Sequence, residues 1–390
     1  MKENKKSVQT LLAHLSVDPE QHHGFVNTPV YRGSTVVFPT CESMRDGRQK
    51  YIYGRLNNPS TEALTQALRL LEGAEGTVLC SSGLSACTTA ILSVVGAGDH
   101  LLVTDNVYPP VRAFCTSVAP RLGIEVTFYD PTIGCGIEDL LRPNTKAIYT
   151  ESPGSLTLEI QDIPEIAKVA HSHDILVITD NTWGTPLLFQ SIEHGVDLSI
   201  MAATKYIVGH SDVVLGTVSA SKRAWEKLKN YHFYMGSYAS PDDVTLALRG
   251  LRTLDVRLAR HFENAMKVAK WLEKRPEVEA VFYPPLETHP QHHLWKRDFK
   301  GGSGLMSFLT KPAPQAAADA LLDDLSLFSL GYSWGGFESL ALIADPKAIR
   351  SATSWEASGH LIRLHIGLED PADLIKDLDE GFERFSAMCP

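Results

Sequence analysis

The sequence predicts an α/β fold: a large, mostly parallel sheet domain with helices on both faces, a smaller C-terminal α+β domain and an N-terminal arm. Three observations carry this. From about residue 58, short continuous apolar segments alternate with amphipathic ones, as a parallel sheet covered on both faces requires. The 390 residues, 44% hydrophobic and 21% charged, have an ordinary soluble composition and enough length for a large core. No internal repeat or low-complexity tract interrupts the pattern.

The elements follow in order. Residues 1–57 hold many turn formers and the aromatics Tyr31, Phe38, Tyr51 and Tyr53, but little periodicity, and read as an irregular arm. An α/β domain is expected over residues 58–250. Its apolar strands are expected at 77–80, 100–104, 125–129, 147–150, 175–179, 198–202 and 213–219, with helices at 61–71, 84–95, 111–122 and 163–173. One long helical stretch over 244–274 leads into a C-terminal domain, 251–390, of mixed strand and helix.

Charge and composition exclude several functions. Lys and Arg total 36 against 46 Asp and Glu, a net charge of −10, which suits no nucleic-acid partner. The opening MKENKK is basic, but the VQTLLAHLSVD that follows has no signal-peptide core. No apolar run approaches the roughly 18 residues of a membrane span. A cytoplasmic protein is expected. The six cysteines show no C-x-x-C pair and read as buried free thiols. The histidines lack accompanying ligands, so no metal site is expected.

Three segments place reactive groups where an open α/β sheet binds ligands, beyond the carboxyl ends of its strands. In ILVITD an apolar strand ends in Asp180. In LSIMAATK the next strand runs into Thr204 and Lys205. In TVLCSSGLSA a strand turns through Gly83 and Leu84 into a helix. Singly each is ordinary, since lysines often follow strands and Ser favours a helix N-cap. Together they describe one ligand. A helix N-terminus offers N–H groups and a favourable dipole to a phosphate. A carboxylate can pair with a protonated pyridine nitrogen, and a deprotonated amine can form an imine with an aldehyde.

At these residues the chain resembles the Cys/Met-metabolism enzymes of fold type I, which depend on pyridoxal 5′-phosphate. The similarity runs in order through YIYGRLNNPS (51–60), SSGLSA (81–86), ESPGSLTLE (151–159), DNTWG (180–184) and AATKYIVGHSD (202–212). It continues through RGLRTL (249–254), WKRDFKGGSGL (295–305), SLGYSWGGFESL (329–340) and LIRLHIGLED (361–370). The resemblance implies that Lys205 holds the cofactor as a Schiff base and Asp180 pairs with its pyridine nitrogen. It implies that Tyr108 stacks on the ring and takes part in catalysis, and that Gly83, Leu84 and Thr204 hold the phosphate. Tyr53 and Arg55 would reach the phosphate of a neighbouring subunit, giving a homotetramer built from catalytic dimers. Arg363 would grip the substrate α-carboxylate, with Tyr53, Ser333 and Trp334 lining the substrate site.

Within the family, Tyr332, Ser333 and Trp334 resemble the members that cleave L-cystathionine at the β-carbon, in methionine biosynthesis, to homocysteine, pyruvate and ammonia. Members acting at the γ-carbon carry an acidic residue where Tyr332 stands. Ala202 departs from the family by replacing a phosphate-binding Ser. Ala113 and Phe233 likewise replace polar residues near the substrate's far end. These departures imply activity on other cysteine S-conjugates or on cystine, because an apolar site discriminates weakly. The alternatives are a broader S-conjugate β-lyase or cysteine desulfhydrase, and a regulatory protein on the same scaffold. A nicotinamide enzyme is disfavoured by the lack of an early G-x-G-x-x-G.

Overall fold

The computed structural model describes residues 7–389. The basic opening Met1–Lys6, read above against a signal peptide, lies outside the described residues, as does Pro390. The described arm carries two short α-helices, α1 (Val8–His14) and α2 (Cys41–Asp46), and folds back on itself through an isolated bridge between Thr35 and Tyr53. Helix α3 (Pro59–Glu72) starts where the Asn58 side chain accepts the N–H groups of Ser60 and Thr61, with Pro59 pre-set for the first turn. Gly73, in the left-handed region, ends it.

The alternation then proceeds through β1 (Gly76–Cys80), α4 (Gly83–Leu92), β2 (His100–Thr104), α5 (Pro109–Ser117), β3 (Glu125–Tyr129) and β4 (Thr145–Glu151). Next come α6 (Ile163–Ser172), β5 (Leu176–Asp180), α7 (Thr185–Leu188), β6 (Leu198–Met201) and β7 (Gly216–Ala220). These strands form one sheet in the order β1-β7-β6-β5-β4-β2-β3. All run parallel except β7, which is antiparallel to both of its neighbours. Apart from the edge strand β3, the parallel strands are mostly buried because both faces are covered. Val103, Tyr149 and Ile178 pack with Ala90 and Ile91 of α4 on one face, while Leu102, Ile148 and Val177 pack with Ile166 and Ala170 of α6 on the other.

Helices α8 (Trp225–Tyr234), α9 (Pro241–Leu251) and α10 (Leu254–Leu272) lead to a second sheet. Its strands and helices are β8 (Val278–Phe282), α11 (His292–Asp298), β9 (Leu305–Thr310), α12 (Gln315–Asp323), β10 (Phe328–Leu330), β11 (Ser339–Ala344), β12 (Leu361–His365) and α13 (Pro371–Ala387). The strand order is β10-β11-β12-β9-β8, antiparallel apart from the β10–β11 pair. One apolar core joins the two sheets: Phe308, Ile362 and Phe382 belong to the same cluster as Ile148 and Val177. Trp183 adds a polar link by donating to the Leu305 carbonyl at 3.0 Å.

Three expectations need correction. The single helix expected over 244–274 breaks at Arg252–Thr253. There the Gly250 carbonyl accepts the Thr253 N–H at 3.0 Å, a three-residue turn in place of a helical bond, and the Arg257 guanidinium at 2.8 Å. The helix expected over 111–122 ends as an α-helix at Ser117 and gives way to a 3-10 turn containing Pro120, since a proline disfavours helical backbone before it. Cys80, Cys87 and Cys115 are buried thiols as expected, but Cys41 and Cys135 are exposed.

Candidate active site

Lys205 stands in the turn after β6, and its amine donates to the Ser333 hydroxyl at 2.7 Å. The same amine lies 5.3 Å from the centre of the Trp334 ring. Burial, reinforced by the Arg363 charge and opposed by Asp180, brings its pKa down to about 8. An ordinary lysine is almost wholly protonated near neutrality, whereas this one offers roughly a tenth of its amine free at pH 7. The loop from Ser333 to Gly336 is pressed onto Lys205. Gly335 adopts a φ of +88°, and a Cβ there would come within 2.8 Å of the Lys205 backbone, so glycine is required.

Asp180 ends β5, half-buried beside this amine. One of its oxygens accepts the Thr182 N–H at 3.0 Å and the Thr182 O–H at 2.5 Å. The other faces the Cys87 thiol at 3.8 Å, which leaves a lone pair toward the cleft. Burial holds the carboxyl above its ordinary value, with the Thr182 and Cys87 donors and the Lys205 charge opposing it. Tyr108 caps α5 with its side chain 40% exposed, while its N–H donates to Glu151 at 2.7 Å. Arg363, on β12, is 8% exposed and donates through Nη2 to the Tyr332 carbonyl at 2.7 Å. Burial lowers its pKa to about 10, with Tyr108 opposing, and its remaining donors are free for a carboxylate.

At the start of α4, Ser82 accepts the N–H groups of Ser85 and Ala86 through its hydroxyl and carbonyl. The first two N–H groups, those of Gly83 and Leu84, are left pointing out of the helix end. A Cβ on Gly83 would lie 2.6 Å from the Ala202 methyl, so this close approach explains the small residue at both positions. The Thr204 hydroxyl donates to the Leu215 carbonyl at 3.1 Å and accepts the Leu215 N–H at 2.9 Å. Thr204 thereby lies beside the start of α4, with its hydroxyl bonded to the Leu215 backbone in both directions.

The structure thus brings Lys205, Asp180, Tyr108, Arg363, Ser333 and Trp334 around one cleft. Among the described residues, neither Tyr53 nor Arg55 forms a side-chain hydrogen bond to any of them. Arg55 donates instead to the Phe233 carbonyl at 3.3 Å, at the edge of a cavity of about 370 Å³ that Phe233 and Tyr238 also line. Two site residues have no role in the sequence reading. Thr182, two residues after Asp180, is recognisable as an Asx-type partner. Glu151 also ends an apolar strand, the same signal that marks Asp180.

These groups fit pyridoxal phosphate: an amine with a lowered pKa, a carboxylate with an open lone pair, an exposed flat ring and an uncapped pair of helix N–H groups. The family model described as Cys/Met metabolism PLP-dependent enzyme matches residues 9–383. A putative cystathionine β-lyase of Rhizobium johnstonii is 52% identical over 385 residues, covering 98% of this chain and 97% of that protein. Cystathionine β-lyase MetC of Escherichia coli is 42% identical, covering 97% and 99%. An L-alanine/L-glutamate racemase of Wolbachia pipientis is also 42% identical, covering 94% of each chain. The solved cystathionine γ-lyase of Lactobacillus plantarum, complexed with L-serine, superposes with a TM-score of 0.91 at 31% identity, covering 98% of this chain and 100% of that one. With a cleft built for this cofactor and matches that span nearly its whole length, the chain belongs to the pyridoxal 5′-phosphate-dependent enzymes of Cys/Met metabolism.

Proposed function

We propose that the enzyme is a carbon–sulfur lyase that cleaves L-cystathionine at its β-carbon to give L-homocysteine, pyruvate and ammonia. The observation that carries this reading is the loop laid over Lys205. Ser333 sits at 2.7 Å, Trp334 covers the amine, and Tyr332 is 93% exposed, and none of the three is the acidic residue that members acting at the γ-carbon carry. When bound, pyridoxal phosphate withdraws electrons from the amino acid joined to it, which makes the Cα proton removable.

The chain's own groups do the rest. Arg363 holds the α-carboxylate in its planar fork and so fixes which bond of Cα faces Lys205. The Lys205 amine takes the Cα proton, and the same nitrogen can return a proton to the departing sulfur. Asp180 keeps a proton on the pyridine nitrogen. Gly83 and Leu84 anchor the phosphate through their N–H groups. Tyr108 lies against the cleft and orients the ring.

Ala113 and Phe233 support a second reading, a β-lyase of broader range. Ala113 is exposed and carries no polar group, and Phe233 is 46% exposed. The exposed Tyr53, together with Phe233, Tyr234 and Met235, supports assembly from dimers into a homotetramer, with Tyr53 and Arg55 reaching a partner's site. Among the described residues no helix is long and apolar enough to cross a membrane, and a cytoplasmic location accords with that.

The test is pyruvate and free-thiol release from L-cystathionine by purified protein, beside Lys205→Ala and beside S-methylcysteine and alanine. Equal pyruvate and thiol, lost in the variant, supports β-elimination. Racemised alanine without pyruvate would sink it.

A further inference from the structure

Two carboxyl groups lie at the carboxyl end of the sheet, where the pyridine nitrogen needs one. Glu151 and Asp180 end the adjacent parallel strands β4 and β5 and are register partners, so their side chains leave the sheet on the same face. Asp180 opens onto the cleft, whereas Glu151 is 8% exposed. Facing Glu151 are Asp180 from β5, Cys87 from α4, Tyr149 from β4 and Tyr108 at the start of α5. The cations of the site, Lys205 and Arg363, act on Asp180 and Tyr108 instead. No ion pair involves Glu151 among the described residues.

Two adjacent carboxylates in a low dielectric, with no cation between them, hold a proton in common. Hydrogen-bond donors decide where it rests. Asp180 receives three: the Thr182 N–H at 3.0 Å, the Thr182 O–H at 2.5 Å and the Cys87 thiol at 3.8 Å. Glu151 receives one, the Tyr108 N–H at 2.7 Å.

We propose that Glu151 is a positioning residue, kept as a neutral carboxylic acid that fixes the Tyr108 backbone and leaves Asp180 the only negative charge beneath the pyridine nitrogen. The proposal rests on the assignment of Asp180 to that nitrogen. Burial and the Asp180 charge both push the Glu151 carboxyl well above the usual carboxylate range, with the Tyr108 N–H opposing them. An ionised Glu151 would repel the charge on Asp180 and draw a proton onto one of the two carboxyl groups. A neutral one leaves that charge undisturbed.

Infrared spectroscopy of cofactor-free protein reads the proton directly, through the C=O stretch of a protonated carboxyl group near neutral pH. Glu151→Gln should remove one such band. Glu72, buried with its carboxyl pushed up to about 8, contributes another, and Glu72→Gln should remove that one alone. Because glutamine still accepts the Tyr108 N–H, Glu151→Gln should keep cofactor retention and kcat within about twofold. Glu151→Ala, which abandons that N–H, should weaken retention by about tenfold.

The proposal is overturned if Glu151→Gln removes no band. It is also overturned if this variant moves the pH midpoint of the bound-cofactor absorption by about one unit or more, as loss of an ionised neighbour would. Should Glu151→Gln not fold, the spectrum of a Glu72→Gln, Asp180→Asn double variant decides: a remaining protonated-carboxyl band supports the proposal and its absence overturns it. Asp180→Asn tests the underlying assignment separately. Unchanged cofactor absorption in that variant would sink the role of Asp180, whereas the cofactor-free infrared result bears on Glu151 alone.

Discussion

Asp105 follows β2, has no solvent exposure, and holds the C-terminal domain to the large one. Its carboxylate accepts the N–H groups of Ser351, Ala352 and Thr353 at 3.0, 3.0 and 2.8 Å, the Thr353 hydroxyl at 2.8 Å, and an Arg112 ion pair. The segment 351–353 belongs to the connection that leads into β12 and Arg363. In Asp105→Asn an NH₂ group replaces one oxygen and confronts donors that have no other acceptor, while Arg112 loses its counter-charge. Breaking a buried, hydrogen-bonded ion pair costs about 3–5 kcal/mol. At about 1.4 kcal/mol per decade, amide hydrogen exchange at Ser351, Ala352 and Thr353 should quicken by roughly two to three and a half orders of magnitude. Burial works to raise the Asp105 carboxyl, but the donors outweigh it and hold the group below its ordinary value. Its stabilising contribution is therefore present above the unfolded pKa of about 3.9 and is lost as pH falls through the lower folded value. Exchange at the three amides in Asp105→Asn within about threefold of the wild type would refute the reasoning.

Three further outcomes follow from the site. Capture of pyridoxal phosphate by cofactor-free enzyme needs the neutral Lys205 amine, so its rate should rise about tenfold per pH unit below about 8 and level off above it; a flat profile read by absorbance would count against the lowered pKa. Arg363→Lys cannot both satisfy the Tyr332 carbonyl and grip a carboxylate with a fork, and kcat/KM should fall by roughly ten- to a hundredfold, which steady-state kinetics would measure. Gly83→Ala drives a methyl group to 2.6 Å from the Ala202 Cβ, and the resulting strain of about 1–3 kcal/mol at the phosphate seat should appear as weaker cofactor retention on dialysis.

Much of this was legible from local pattern. Lys205, Asp180 and Gly83 each follow an apolar strand, and parallel strands deliver such residues to one edge of a sheet. The same rule applied to Glu151 and Asp105 marks them too, but their partners set their roles. Asp105 meets residues 351–353, and Glu151 meets Asp180 across a strand pairing that spacing does not encode. At the break between α9 and α10 the Gly250 carbonyl takes a turn bond from the Thr253 N–H and a second from the Arg257 side chain, a convergence that periodicity cannot show. The Thr204 hydroxyl's bonds to the Leu215 backbone are likewise a contact between segments that local pattern does not show. The suggested work of Tyr53 and Arg55 depends on a second chain, so neither the sequence nor one folded chain displays it.

The central claim, cleavage on the β side of sulfur, is tested most directly by identifying the keto acid formed from L-cystathionine by mass spectrometry. Pyruvate accompanied by an equal amount of homocysteine is the predicted result. 2-Oxobutyrate accompanied by cysteine would mean cleavage at the γ-carbon and would contradict the account.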